Sequence, residues 1–139
     1  MLKVKIYTIG RVKEFWLQEA LADYEKRLRR TVEVEWALFK TDRELAEKIA
    51  PPWIALEGQG ELIDSIQFSK KVMKLFAHHG SRLQFLIGGA EGIPQELLAK
   101  SVWRWSLSPL TFTHQMARLL LLEQLYRALE IESGTGYHK

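Results

Sequence analysis

Apolar residues in this chain recur with two different periods, and the two periods alternate from one end to the other. A stretch with period two cannot sit still as a helix, and one with a period near 3.6 cannot sit still as a strand. Leu2 to Ile9 alternates as a strand does. From Glu14 to Arg30 the pattern becomes helical, with Leu17, Leu21, Tyr24 and Leu28 on one face. "TVEVEWALF" alternates again, with Val32, Val34, Trp36 and Leu38 opposite Glu33 and Glu35. Asp42 suits the N-cap of a short helix through Ala50, which Pro51 and Pro52 stop. "WIAL" reads as a short buried strand, "EGQGELID" as a polar loop, and Ser65 to His79 as a helix built on Phe68, Val72, Leu75 and Phe76 and closed by Gly80. "LQFLIG" is a fourth strand and "GAEG" a loop. Pro94 fits the first position of a helix, and "VWRWSL" is a fifth strand. Thr113 looks like the cap of a last helix that runs to about Glu132. Strand–helix alternation throughout predicts one α/β domain, residues 1–139, with a largely parallel sheet and helices on both faces.

Composition narrows the function. The 139 residues contain no cysteine, which excludes disulfides and thiolate metal sites. With four histidines, two of them the adjacent His78 and His79, no metal is expected. The charged and apolar alternation of "MLKVKIYTIG" is not that of a signal peptide, and the apolar run Leu119–Leu122 is far too short to span a bilayer. A cytoplasmic protein with no membrane attachment is the expectation. Net charge is only +3, compatible with nucleic acid without demanding it. The cluster Lys26, Arg27, Arg29 and Arg30 reads first as the solvated end of a helix and only second as a phosphate contact. The last helix carries Met116, Leu119 to Leu122, Leu125, Tyr126 and Leu129, more apolar surface than one face holds, so a homodimer is expected.

Ligands of parallel α/β sheets bind beyond the carboxyl ends of the strands. Three loops occupy that place: "LEGQG", "IGGAEG" and "SLSPLT". Gly88 and Gly89 remove side chains where backbone must turn or approach a ligand. None of these loops has the spacing of a P-loop or of a dinucleotide fingerprint, and the turn after the first strand, "TIGRVKEF", lacks a flavin phosphate loop. The ligand should therefore need close backbone contact and no phosphate cradle. An adenosine joined to an amino acid, as in S-adenosylmethionine, fits.

"LIGGAEG", "WSLSPLTFTHQMARLLLLEQLYRA" and the terminal "YHK", with "KVKIYTIGRVK" and "YEKRL" near the start, resemble the RlmH family of SPOUT-class methyltransferases over nearly the whole chain. The segment between "ALFK" and "PPWIALE" is shorter than is usual there, Thr113 stands where proline is more common, and Lys139 where arginine is. The resemblance implies a Rossmann-like sheet with a C-terminal deep trefoil knot and S-adenosylmethionine as cofactor. The implied target is N3 of a pseudouridine in 23S rRNA, in the large subunit or the assembled ribosome. By position it assigns cofactor binding to Leu56, Gly89 and the run Ser108, Pro109, Leu110, Thr111, Phe112 and Thr113, to which the adjacent Gly88 of the glycine pair is added. His114, Tyr137 and His138, which lie in the matching motifs, and Arg118, one helical turn from His114, are the candidate catalytic residues.

The plainer readings stand beside these. Arg118 can equally be a structural partner of Glu123 or a neighbour, and Arg127 likewise. Glu91 can bind a ligand amine or cap a helix. Trp103 and Trp105 read better as core than as RNA-stacking residues. In "GTGYHK", Gly134 and Gly136 let the chain leave the helix, so that Tyr137, His138 and Lys139 can reach a base, an imide proton or a phosphate. The alternative function is a non-enzymatic RNA- or ribosome-binding α/β module. A hydrolase lacks its G-x-S-x-G elbow here, and a flavodoxin-like regulator lacks its phosphate loop and acidic cluster.

Overall fold

Every strand runs in the same direction, so every strand ends at the same edge of the sheet. The computed structural model describes residues 1–139. In chain order the elements are β1 (Leu2–Ile9), α1 (Phe15–Leu28), β2 (Val32–Phe39), α2 (Asp42–Lys48), β3 (Ile54–Leu62), α3 (Ser65–His78), β4 (Arg82–Ile87), α4 (Gln95–Ala99), β5 (Trp103–Ser106) and α5 (His114–Ser133). The five strands form one sheet in the order β2-β1-β4-β3-β5.

Both faces of the sheet are covered, and the side-chain period of two decides what goes where. Val4 and Ile6 point into a large core with Leu17, Leu21, Phe68, Val72, Leu121, Leu122 and Leu125, built under α1, α3 and α5. Tyr7, on the opposite face, joins Leu45, Trp53, Leu86 and Leu97 in a smaller core under α2 and α4. Lys3 and Lys5 lie level with Glu33 and Glu35 on β2. The two ion pairs, 3.9 Å and 3.3 Å, add little stability at the surface, but they oppose a register slip. Trp103 and Trp105 are core residues, with Trp105 stacked 4.2 Å from Phe68. The basic end of α1 is exposed, and Arg27 pairs with Asp23. No helix is long and apolar enough to cross a membrane.

Some boundaries differ from the sequence reading. The cap of α2 is Thr41, whose Oγ1 accepts from the Glu44 amide, and Asp42 is the first helical residue. Pro94 is the N-cap of α4 rather than its first residue. The polar stretch after Leu56 is largely strand: β3 pairs with β5 through Ile54–Leu56, bulges, and rejoins it at Glu61 and Leu62. Its polarity follows from its place, since the extension has only β5 to pair with and little core to face. Glu61 accepts from the Trp103 indole at 2.9 Å. Gly60 is required at the rejoining point, because a Cβ there would lie 2.7 Å from the Arg104 carbonyl carbon.

α5 rests on the sheet with α1 and α3 packed against it, burying Leu121, Leu122, Leu125 and Ala128. Leu119, Leu120, Tyr126 and Leu129 are half-buried within the chain. Part of the surface that the sequence assigns to a partner subunit is therefore covered by the chain's own helices. Gly60→Ala should lower the urea midpoint by an amount equivalent to about 2 kcal/mol, the cost of forcing a methyl group into packed backbone. An unchanged midpoint would show that the bulge is not tightly packed.

Candidate active site

"LEGQG", "IGGAEG" and "SLSPLT" meet at the carboxyl edge of the sheet and enclose a cleft of about 1050 Å³. Leu56, Gly88, Gly89, Ser108, Pro109, Leu110, Thr111, Phe112, Thr113 and His114 all line it, as does the exposed Glu91. Its size suits a ligand of nucleoside dimensions.

Local chemistry shapes each wall. After β4 the chain doubles back through a tight turn in which the Gly92 amide donates to the Gly89 carbonyl at 3.0 Å. Gly88 has no room for a side chain, since a Cβ would lie 2.5 Å from the Gly92 carbonyl carbon. After β5 the serines stiffen the loop. The Ser106 hydroxyl donates to the Ser108 carbonyl, and Ser108 Oγ accepts from the Leu110 amide at 2.9 Å. Thr113 then caps α5 as the sequence suggests, its Oγ1 accepting from the Met116 amide at 3.2 Å.

Arg118 does not line this cleft; it is buried behind it, 1 % exposed. Its Nη2 donates to the carbonyls of Ile9 (2.7 Å) and Gly10 (2.9 Å) at the end of β1. The partner is backbone, and Glu123 pairs with Arg127 instead. Ile9 packs against Gly89, where a Cβ would lie 3.3 Å from its side chain, so Arg118 braces the glycine loop from below. Burial, and secondarily the charge of Arg118, hold the His114 imidazole below its ordinary value of 6.5 and hence neutral at neutral pH.

Four buried side-chain atoms have no hydrogen-bond partner: Thr8 Oγ1, Glu57 Oε2, Gln115 Oε1 and Arg118 Nε. Native structures rarely leave such atoms unpaired without a functional reason. Glu57 and Gln115 line the cleft, and Thr8 and Arg118 lie at the end of β1 behind it. The sequence reading did not single out Glu57 or Gln115. The one signal available was a polar residue directly after the apolar run of β3, or in the first turn of the last helix.

The tail lies elsewhere. Gly134 and Gly136 take left-handed conformations, and the chain folds back along α5. Tyr137 donates to Glu123 Oε2 at 3.0 Å, and burial followed by that bond pushes its phenol up to about 12. It is therefore a protonated donor. His138 sits 3.0 Å from Arg127 and lines a smaller cavity of about 410 Å³ together with Leu107 and Phe112. Those two residues also wall the large cleft, so the cavities are neighbours.

Comparison with known proteins agrees with this architecture. The family described as "Predicted SPOUT methyltransferase" matches residues 2–138. A protein named "Ribosomal RNA large subunit methyltransferase H" from Protochlamydia amoebophila (strain UWE25) is 43% identical over 141 residues, covering 100% of both chains. One of the same name from Synechococcus sp. (strain CC9311) is 41% identical, covering 99% of this chain and 96% of that one. The structure of a probable methylase family protein from Haemophilus influenzae Rd KW20 superimposes with a TM-score of 0.52 at 10% identity, over 98% of this chain and 70% of that one, a likeness of fold.

Arg118→Met leaves two inner carbonyls unpaired and should cost about 2 kcal/mol in urea unfolding. A midpoint unchanged from wild type would remove the bracing role. For His114 the sign follows from its lowered value. The unfolded chain takes up the proton first, so stability is full above the ordinary imidazole range and falls as pH drops below it. Comparing urea midpoints between about pH 8 and pH 5, His114→Gln should flatten part of that slope; a slope identical to wild type would contradict the assignment.

Proposed function

The chain belongs to the SPOUT methyltransferase family, and on that premise we propose that it carries a methyl group from S-adenosylmethionine to N3 of a pseudouridine in 23S rRNA. In this reading a single-domain chain works as a cytoplasmic homodimer on the large subunit or the assembled ribosome. Family membership also implies the C-terminal trefoil knot of the class, a topology that general rules of chain connection disfavour. The observation that carries the proposal is the cleft itself: backbone-lined, free of any phosphate-loop spacing, and bordered by buried acceptors that lack donors.

Those features fit the cofactor. Its amino group, adenine amine and ribose hydroxyls are donors, which Glu57 Oε2 and Gln115 Oε1 can accept, and the Glu57 carboxylate suits a cationic ligand. Leu56, Gly88, Gly89 and the run Ser108–Thr113 would hold it. When bound it supplies an electrophilic methyl carbon whose leaving group is a neutral thioether. The protein's contribution is alignment and proton management. The imide N3 becomes nucleophilic only as its proton leaves. His114, kept neutral at the cleft, is a base able to receive that proton. His138 lines the neighbouring cavity, Tyr137 anchors the tail beside it through Glu123, and Lys139 is exposed and free to meet phosphate. The names of the two relatives support rRNA as substrate. Exposed apolar residues Phe15, Trp16 and Leu110 support a partner subunit.

Incubating the protein with methyl-labelled S-adenosylmethionine and ribosomes lacking the modification should place label on one pseudouridine of 23S rRNA. Binding of the cofactor with no transfer to free rRNA, subunits or ribosomes would reject the substrate. No binding at all would leave the RNA-binding module as the better reading. Deleting Tyr137–Lys139 should reduce transfer by about 100-fold or more while calorimetry shows cofactor affinity nearly intact. Loss of both would rule out a tail that acts only in the chemistry.

A further inference from the structure

The tail is held by a linked set of side chains, and that set has consequences for which nitrogen of His138 carries its proton. Glu123 and Arg127 lie one turn apart on α5. The Glu123 carboxylate accepts from Arg127 Nε at 3.3 Å and from Nη2 at 3.0 Å, a two-point contact that fixes the guanidinium plane. The Tyr137 hydroxyl donates to the same carboxylate, while the Tyr137 ring lies 4.8 Å from the guanidinium and meets Tyr126 edge-on at 4.9 Å. One end of the guanidinium remains, and Arg127 Nη1 lies 3.0 Å from His138 Nδ1.

A guanidinium has only donors and stays charged in proteins. His138 Nδ1 must therefore be the acceptor. A neutral ring that accepts at Nδ1 carries its proton on Nε2, and a doubly protonated ring would bring two cations into contact. His138 itself borders the cavity that Leu107 and Phe112 also line. Taking the methyl-transfer reading above as given, we propose that Glu123 and Arg127 are positioning residues that hold His138 as the neutral Nε2–H tautomer. In that form the terminal imidazole is a hydrogen-bond donor to the target base and not the acceptor of its proton.

The chemistry suits that role. As the imide loses its N3 proton, negative charge spreads onto the two flanking carbonyl oxygens, and an N–H aimed at one of them stabilises the charge as it develops. The proton itself goes to a different group. The hydroxyl of Tyr137, held protonated, likewise donates and does not accept. Arg127 is held further into its charged form by Glu123, so the clasp does not release the imidazole by losing its own proton.

The test is ¹⁵N NMR of histidine-labelled, full-length protein under mildly alkaline conditions, with the His138 ring assigned through His138→Gln. The expected wild-type ring is a single tautomer, with a pyrrole-type Nε2 and a pyridine-type, hydrogen-bonded Nδ1. In Arg127→Met and in Glu123→Gln it should shift toward the mixture of tautomers shown by a free imidazole, and Arg127→Lys should restore it in part. A mixed ring in the wild type, or a ring unchanged by Arg127→Met, would overturn the proposal. In methylation assays Arg127→Met should lower kcat by about 10-fold or more with the KM for S-adenosylmethionine nearly unchanged, and Arg127→Lys should recover part of the loss. Equal loss in both variants would also count against positioning. The NMR outcome does not depend on rRNA being the substrate, so failure of this inference and failure of the methyl-transfer reading can be told apart.

Discussion

A guanidinium buried without a carboxylate underlies the site. Removing a charge from water is costly, and Arg118 offsets that cost through two charge-assisted hydrogen bonds to the carbonyls of Ile9 and Gly10. The bonds tie α5 to the end of β1, which abuts Gly89 through Ile9. The loop from Ser106 to Thr113 leads directly into α5, so its far end is fixed by the same contact. Arg118 also helps to keep His114 neutral. One residue thus couples the geometry of the cleft to the protonation of a group within it.

The site combines rigid and adaptable parts. Its loops spring from parallel strands buried on both faces, and short internal bonds stiffen them: the Gly89–Gly92 turn, the Ser106 and Ser108 hydroxyls, the Thr113 cap. Such elements hold a ligand in one orientation, as an in-line displacement requires. The tail is different. Beyond Gly134 it is attached to α5 chiefly through polar contacts with Glu123 and Arg127 and the ring of Tyr126. A segment held that way can adjust to an RNA surface without disturbing the core.

Much of this organisation is legible in the sequence, for identifiable reasons. β1 and β2 announce themselves by alternation, and β3 and β4 by short apolar runs, because a strand covered on both faces needs no polar side. The loops after β4 and β5 are legible because parallel strands must all end at one edge. The extension of β3 through Glu61 is not, since it pairs only with β5 and its residues need not be apolar. Thr41 and Asp42 are both good caps one residue apart, and only backbone angles decide between them. The apolar excess on α5 reads the same whether a neighbouring helix or a second subunit covers it. Arg118 is opaque in a different way, because its partners are main-chain carbonyls that leave no mark in sequence. Glu57 and Gln115 are hidden for a related reason: an acceptor without a donor is visible only once its surroundings are known.

The central claim is that the glycine-bearing part of β3 and the loops after β4 and β5 form one cofactor site, and hydrogen exchange with and without S-adenosylhomocysteine tests it most directly. The account predicts slower exchange in Leu56–Gln59, Ile87–Ile93 and Leu107–His114 together, with the surface around Lys3, Lys5 and Arg82 unchanged. Protection confined to one loop, or centred on that lysine-bearing face of the sheet, would contradict it.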